Sequence, residues 1–247
     1  MRLTIAAAQS VSERGNVSKN IESHCRLVEC AFQNGVQLLI FPELSITGYE
    51  PDLAEELAFT SDDKRLTPLK ELSKSKNMII IAGAPVKLDT GLHIGSFILF
   101  PDYSSLIYTK HFLHPGEEKY FVPGKLNPVL NFNNETFSIA ICADILHPLH
   151  SENAFKAGST FYLAGVFITP EGYRTDTELL KEYAGKYSMT VLMSNYGSES
   201  GNYQSAGRSM VISDKGNVIA EFDGLGEGLV IIEKENNDWT GSIISIN

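Results

Sequence analysis

This chain is poor in the features that define several protein classes. It has only three cysteines, Cys25, Cys30 and Cys142, in 247 residues. Few and odd in number, they cannot build a disulfide framework. No apolar run reaches the length of a membrane-spanning helix; the opening Leu-Thr-Ile-Ala-Ala-Ala stretch is too short and reads as a first strand, not as a signal peptide. Positive charge is also scarce: 20 Lys and Arg stand against 30 Asp and Glu, a formal charge of −10 with no basic cluster. That balance disfavours nucleic acid and anionic membranes as partners. There is no glycine-rich phosphate loop, low-complexity tract, repeat or linker; Gly83, Gly201 and Gly207 read as turn or close-approach glycines. What remains is a globular chain, 43% hydrophobic, expected to form one domain over residues 1–247 in a reducing, cytoplasmic setting.

Apolar runs alternate with helical patterns. Leu3–Ala8 reads as strand, followed by a helix capped at Asn16 or Ser18 in which Ile21, Cys25, Val28, Ala31 and Phe32 share one face. Val36–Phe41 and Met78–Ala82 read as strands buried on both faces, the second stopped by Gly83-Ala84-Pro85. Helical pieces are expected at 52–58 and 62–76, strands at 92–100 and 105–110, and a strand ending at Ile141. Pro148 discourages continuation of the Cys142 stretch as regular helix. Helix is expected at 151–157 and 175–187 and strand at 161–167 and 190–195. Three short strands, 209–213, 218–222 and 228–233, then close the chain. Two sheets with helices on their outer faces, an α/β architecture, account for both halves.

Three side chains with chemical potential stand just beyond apolar strands: Glu43, Lys110 and Cys142. In open α/β sheets that edge is where sites form. Singly, each has an ordinary explanation: a loop carboxylate, a surface lysine and a buried thiol acting as a small hydrophobe. Two other constellations compete. His111-x-x-His114 and His147-x-x-His150 with Cys142 suggest zinc but complete no ligand set, and Cys142 with His147 suggests a thiol–imidazole dyad.

The motifs taken together resemble the nitrilase superfamily of carbon–nitrogen hydrolases, in its amidase-like branch. They are Pro42-Glu43-Leu44-x-x-Thr47-Gly48-Tyr49, Tyr108-x-Lys110 with Gly116-Glu117-Glu118-Lys119-Tyr120-Phe121-x-Pro123-Gly124, and Ile141-Cys142-x-Asp144. The likeness runs over nearly the whole chain, including the strand ending in Gln9, Asn20, and the strand end Ser194-Asn195. The resemblance implies an αββα sandwich and a catalytic Glu43–Lys110–Cys142 triad, with Glu117, rather than its neighbour Glu118, as a second glutamate that positions Lys110 and the substrate. It implies a small-molecule amide or carbamoyl substrate, no metal or organic cofactor, and a homodimer or higher homo-oligomer paired through helices. Tyr183, Tyr187 and Met189 are its candidate interface anchors. Candidate substrate contacts are Tyr49, Ala143, His147, Thr169 and Tyr196, with Arg208 less certain among them. Where the family carries an aromatic after the cysteine and an Arg-Phe-Pro-Glu-like segment, this chain has Ala143 and Leu146-His147-Pro148-Leu149. Cys142-Ala143-Asp144 therefore points to amides or carbamoyl compounds rather than nitriles. A silent scaffold of the same fold is the alternative from another class, and the presence of all three triad residues argues against it.

Overall fold

The computed structural model describes residues 2–235 and 238–246. In chain order the elements are β1 (Leu3–Gln9), α1 (Val17–Gln33), β2 (Leu38–Ile40), α2 (Ala54–Leu57), α3 (Thr67–Lys76), β3 (Ile79–Leu88), β4 (Gly91–Leu99) and β5 (Ser105–Thr109). They continue as β6 (Leu130–Phe132), β7 (Glu135–Ile141), α4 (Pro148–Lys156), β8 (Phe161–Gly165), α5 (Pro170–Tyr187), β9 (Thr190–Ser194), β10 (Met210–Ile212), β11 (Val218–Glu221), β12 (Glu227–Glu235) and β13 (Asp238–Ile246). Seven strands form one sheet in the order β13-β12-β1-β2-β3-β4-β5, and six form the other in the order β11-β10-β9-β8-β7-β6. Each sheet is parallel at its centre (β1-β2-β3 and β7-β8-β9) and antiparallel at its flanks.

Side-chain alternation builds the layers. Leu3, Ile5 and Ala7 of β1 meet Phe137, Ile139 and Ile141 of β7 and Phe161 and Leu163 of β8 in one core between the sheets. The intervening residues turn outward: Ala6, Ala8 and Leu39 pack beneath Leu27, Val28 and Ala31 of α1, and Tyr162, Ala164 and Val191 beneath Leu180 and Ala184 of α5. A strand covered on both faces has to be apolar at successive positions, which is why the central runs are nearly continuous. The four layers make the αββα sandwich. Truncating a central residue such as Ile139, fully buried, to Ala is expected to cost ~2–5 kcal/mol.

Helix ends follow local chemistry. Asn16 caps α1, its side-chain oxygen accepting from Lys19 N–H at 3.3 Å. The structure also corrects several sequence expectations. Phe32 is exposed and lies under Lys76 Nζ, so it does not join the buried face of α1. Gly83-Ala84-Pro85 does not stop β3, which continues to Leu88 paired with β4. Beyond Ile81 the β2 side of β3 is no longer paired in register, and a proline is tolerated where no ladder donor is required. Pro148 does interrupt the stretch before it, as expected: Cys142–Leu146 is only a 3-10 turn, and Pro148 stands in the first turn of a new helix, α4, where its missing N–H costs nothing. β6 and β13 add to the expected strands, and β12 belongs to the first sheet, antiparallel to β1.

Candidate active site

The ends of three strands converge at the floor of one cavity, which Cys142 lines and beneath which Glu43 and Lys110 are buried. Glu43 follows β2, Lys110 follows β5 and Cys142 follows β7, so the first sheet supplies the carboxylate and the ammonium and the second supplies the thiol. Two glycines permit this approach. A Cβ at Gly83 on β3 would lie 2.4 Å from Leu44 N, and one at Gly165 on β8 would lie 2.7 Å from Phe41 O. The β2 end therefore packs backbone-close against a strand of each sheet. Tyr196, fully buried, ties the same point by donating from its hydroxyl to Glu43 O at 2.7 Å. Buried His24 anchors the loop beyond: Nδ1–H donates to Asn20 O (2.6 Å) and Nε2 accepts from Ser45 Oγ (2.9 Å), with burial depressing its pKa to about 4.

Lys110 is completely buried. Its ammonium donates to Glu43 Oε1 at 2.7 Å and to Glu117 Oε1 and Oε2 at 2.9 and 2.8 Å. Glu117, 3% exposed, also accepts from the Tyr49 hydroxyl (2.8 Å) and His114 N–H (2.8 Å). Glu118, by contrast, is exposed and accepts from Gly116 N–H in its own turn. Glu43 Oε2 is buried without a hydrogen-bond partner among the described residues. Burial, countered by Lys110 and reinforced by Glu117, lifts the Glu43 carboxyl from 4.5 to about 7. Burial alone would pull the Lys110 ammonium down, but Glu43, Cys142 and Glu117 override it and hold the group above the ordinary lysine range.

Cys142 opens a short 3-10 turn, Cys142–Leu146, with φ of +41°, and Leu44, next to Glu43, has φ of +50°. Non-glycine residues avoid that region unless the surroundings enforce it. Asp144 supplies the enforcement at the cysteine turn. Fully buried, it accepts from Ile141 N–H (2.9 Å), from His111 and Phe112 N–H (3.0 and 2.9 Å) and from the Tyr108 hydroxyl (2.6 Å). One carboxylate thus clips the Lys110 loop to the cysteine turn across the two sheets. His150 extends the clip, bonding Tyr108 Oη at 2.8 Å and Tyr162 Oη at 2.7 Å. Burial, then the Glu43 charge, raises the Cys142 thiol well above the usual thiol range against the pull of Lys110. The resting sulfur is therefore a neutral thiol, within 3.5 Å of Phe167 O.

The cavity above Cys142 has a volume of ≈ 460 Å³ and is lined by Tyr49, Glu117, Phe167, Thr169, Tyr120 and Tyr203, among others. Tyr49 and Thr169 are thus where the sequence put them. The Ala143 side chain is buried within the cysteine turn and does not line the cavity, which leaves only its backbone N–H for a substrate. His147 and Tyr196 do not line it either. The His147 ring is solvent-exposed and stacks on Phe112 at 3.9 Å, because Pro148 directs the chain outward into α4; Tyr196 lies one layer deeper, edge-on to Phe167. Arg208 is elsewhere, paired with Glu221 over the Tyr173 ring. Phe167, Tyr120, Tyr203, Asp52 and His114 were not named as substrate contacts; they come from four separate segments, and only Tyr120 and His114 lie inside quoted patterns, His114 in the competing zinc pattern. Loop 198–203 is held to loop 48–52 by Tyr49 N–H to Ser200 Oγ (2.9 Å) and Gly201 N–H to Glu50 Oε1 (2.8 Å).

The competing constellations are not assembled. His147 makes no hydrogen bond with Cys142 among the described residues, and His150 is committed to two tyrosines. No group of three or more His, Cys, Asp or Glu side chains among the described residues is arranged to hold a metal ion. Of the interface candidates, Tyr183 and Met189 are intramolecular core, while Tyr187 stacks on exposed Phe155.

Comparison with known proteins bears on the family and the fold. A family model described as carbon-nitrogen hydrolase matches residues 4–240. The glutamine-dependent NAD(+) synthetase of Acinetobacter baylyi is 30% identical over 148 residues, 57% of this chain and 27% of that protein. Nitrilase homolog 2 of Dictyostelium discoideum is 23% identical over 224 residues, 84% of this chain and 68% of the other. The chain spans only about a quarter to two fifths of the synthetases it matches (27%, 39% and 42%). Among solved structures, the amidase of Nesterenkonia sp. AN1 in complex with butyramide superposes with a TM-score of 0.86 at 22% identity, over 95% of this chain and 92% of that one. Another form of that amidase carries the acetamide moiety of fluoroacetamide on its active-site cysteine. At such identity the likeness shows the fold.

Proposed function

Because this chain belongs to the carbon–nitrogen hydrolase family, we propose that it cleaves the C–N bond of a small amide or carbamoyl compound through a thioester on Cys142. The observation that carries this reading is the buried Lys110 ammonium held between Glu43 and Glu117 beneath a cavity that reaches Cys142. Glu43 is the general base. With a pKa near 7 it is matched to neutral conditions, and its unpartnered Oε2 is free to accept the thiol proton. Because the resting thiol is protonated, the thiolate forms as attack proceeds and does not wait as an ion pair.

The sulfur attacks the carbonyl carbon, and the oxygen becomes an oxyanion. Two Lys110 protons satisfy Glu43 and Glu117, which leaves the third for that oxygen, joined by Ala143 N–H. One such donor is worth ~3 kcal/mol or more. Protonated Glu43 returns its proton to the departing nitrogen, the C–N bond breaks, and ammonia or an amine leaves. Water, deprotonated by Glu43, then attacks the thioester, releasing the acid and restoring the thiol. Every step uses this chain's residues and water. Glu117 holds Lys110 and, through Tyr49, the cavity wall.

We read residues 1–247 as one catalytic domain, since both sheets share a single inner core. Three free thiols support a reducing, cytoplasmic setting, and no helix among the described residues is long and apolar enough to cross a membrane. Exposed Leu149 and Phe155 on α4 and Leu146 before it support pairing of two copies along this helix. Light scattering that gives only the 27.2 kDa monomer at micromolar concentration would refute the pairing. The test of function is intact-mass detection of a covalent acyl adduct after mixing with a panel of amides, carbamoyl compounds, nitriles and glutamine, then peptide mapping. An acyl mass on Cys142 is expected; no adduct and no ammonia or amine from any compound refutes the reading.

A further inference from the structure

The cavity walls carry information about the acyl group, on the reading that this cavity is the amide site. Near the sulfur, the Tyr49 and Phe167 rings stack at 5.3 Å with 12° between their planes, and Tyr196 braces Phe167 edge-on at 5.0 Å. The wall is therefore a fixed aromatic surface. Farther out, Tyr120 and Tyr203 also line the cavity, 47% and 57% exposed. Neither ring stacks on another aromatic, and neither hydroxyl makes a hydrogen bond among the described residues, although the surrounding loops are tied down through Glu117 and Glu50. Two large rings held at a cavity mouth without partners have faces free for a ligand.

The carboxylates at the same cavity are committed: Glu117 is used by Lys110, Tyr49 and His114 N–H, and Asp52 is paired with Arg14. Lys119 and the His114 ring also line it and have no ion-pair partner among the described residues, so the lining offers no free anion. A zwitterionic acyl group such as that of glutamine needs an anion for its ammonium as well as a cation for its carboxylate, and the carboxylates here already have partners.

We propose that this pocket selects flat, uncharged aromatic or heteroaromatic carboxamides, held between the Tyr49–Phe167 wall and the Tyr120 and Tyr203 rings, over aliphatic and zwitterionic amides. The scissile amide reaches Cys142 and Lys110, while the ring occupies the aromatic section toward the mouth. Recognition comes from ring faces, so the tyrosine hydroxyls are dispensable and the rings are not.

The experiment measures kcat/KM for benzamide, nicotinamide, butyramide and L-glutamine, and in parallel the protection of Cys142 from iodoacetamide by benzamide and by butyramide. The two aryl amides are expected to exceed butyramide and glutamine by ~10-fold or more, and benzamide to protect at lower concentration than butyramide. Tyr120→Ala and Tyr203→Ala should each lower the aryl-to-aliphatic ratio ~3- to 10-fold, the effect of one lost ring contact, with Tyr→Phe at either position restoring it. Turnover without aryl preference, or Ala variants that leave the ratio unchanged, overturns the pocket assignment and leaves the hydrolase standing. Selective protection by benzamide with no turnover of any amide does the reverse. Neither turnover nor selective protection refutes both.

Discussion

Glu117 and Tyr120 belong to one turn of chain and line one cavity, yet they obey different physics. Glu117 is almost fully buried and accepts from the Lys110 ammonium, the Tyr49 hydroxyl and His114 N–H. Tyr120, three residues on, is half exposed with an unbound hydroxyl. The inner region is a network in which every charge is fixed by another, so removal of one member leaves the rest uncompensated. The outer region is a set of surfaces whose members touch solvent and act nearly independently. On the proposed reading, chemistry is fixed in the first region and substrate choice is adjustable in the second.

The sharpest way to test that division is to cut the inner network. Glu43→Gln is expected to lower the single-turnover rate by at least ~100-fold, and Cys142→Ala to abolish acyl-adduct formation, each measured after confirming a folded circular-dichroism spectrum. Next in size, Glu117→Gln should reduce kcat ~10- to 100-fold with a smaller change in KM, because Lys110 loses its second anchor and the oxyanion donor drifts. A KM-only effect would move Glu117 to the outer region.

The pH profile comes third. With Glu43 near 7, kcat/KM should fall on the acid side with an apparent pKa of about 7, since the protonated carboxyl cannot accept the thiol proton. A flat profile down to pH 5 would exclude Glu43 as the base. The same shift has a stability consequence. The folded state holds the Glu43 proton more tightly than the unfolded chain, whose group titrates near 4.5, so this contribution to stability is full below 4.5 and is lost as pH rises through 7. Glu43→Gln removes that slope. Its melting temperature relative to the parent protein should therefore be higher at pH 8 than at pH 5, by a few degrees. The smallest effect is expected from His147→Asn, within about 3-fold in turnover, because an exposed ring stacked on Phe112 stands outside both regions. A collapse there would revive a thiol–imidazole dyad.

The same division separates what could be read from the sequence and what could not. Glu43, Lys110 and Cys142 each have an ordinary explanation alone; their shared place just beyond apolar strands raised them together, and the family resemblance of the motifs around them made them a triad. Glu117 was legible through the same resemblance, from its place three residues before Tyr120-Phe121. Tyr203 was not, since its place at the mouth depends on Glu50 receiving Gly201 N–H from a loop about 150 residues away. His147 was misread because five residues of sequence suggest proximity to Cys142, whereas Pro148 starts a helix that carries the ring outward. In the fold, β3 looked short because Gly83 and Pro85 resemble a stop. Gly83 is there to admit the Glu43 loop, and Pro85 falls where the parallel ladder has ended. β13 went unseen because its sequence, with Gly241 and alternating serines and isoleucines, lacks the continuous apolar run of a central strand, as befits the edge of a sheet.

The strands of the second sheet, β6 to β11, follow one another without interruption, whereas the first sheet is completed only when β12 returns to lie against β1, with Lys234 opposite Leu3. Such distant pairings form slowly compared with local ones. A folding chain can therefore have the second sheet's strands paired while the base and ammonium are still elsewhere, and the cysteine turn then lacks the Asp144 bonds to Tyr108 and the His111 loop. In that interval the sulfur is an ordinary thiol with nothing to take its proton. On the proposed reading the site is silent until its two sheets have docked, and the first appearance of a Cys142 that reacts rapidly with an amide-shaped reagent marks the moment when they do.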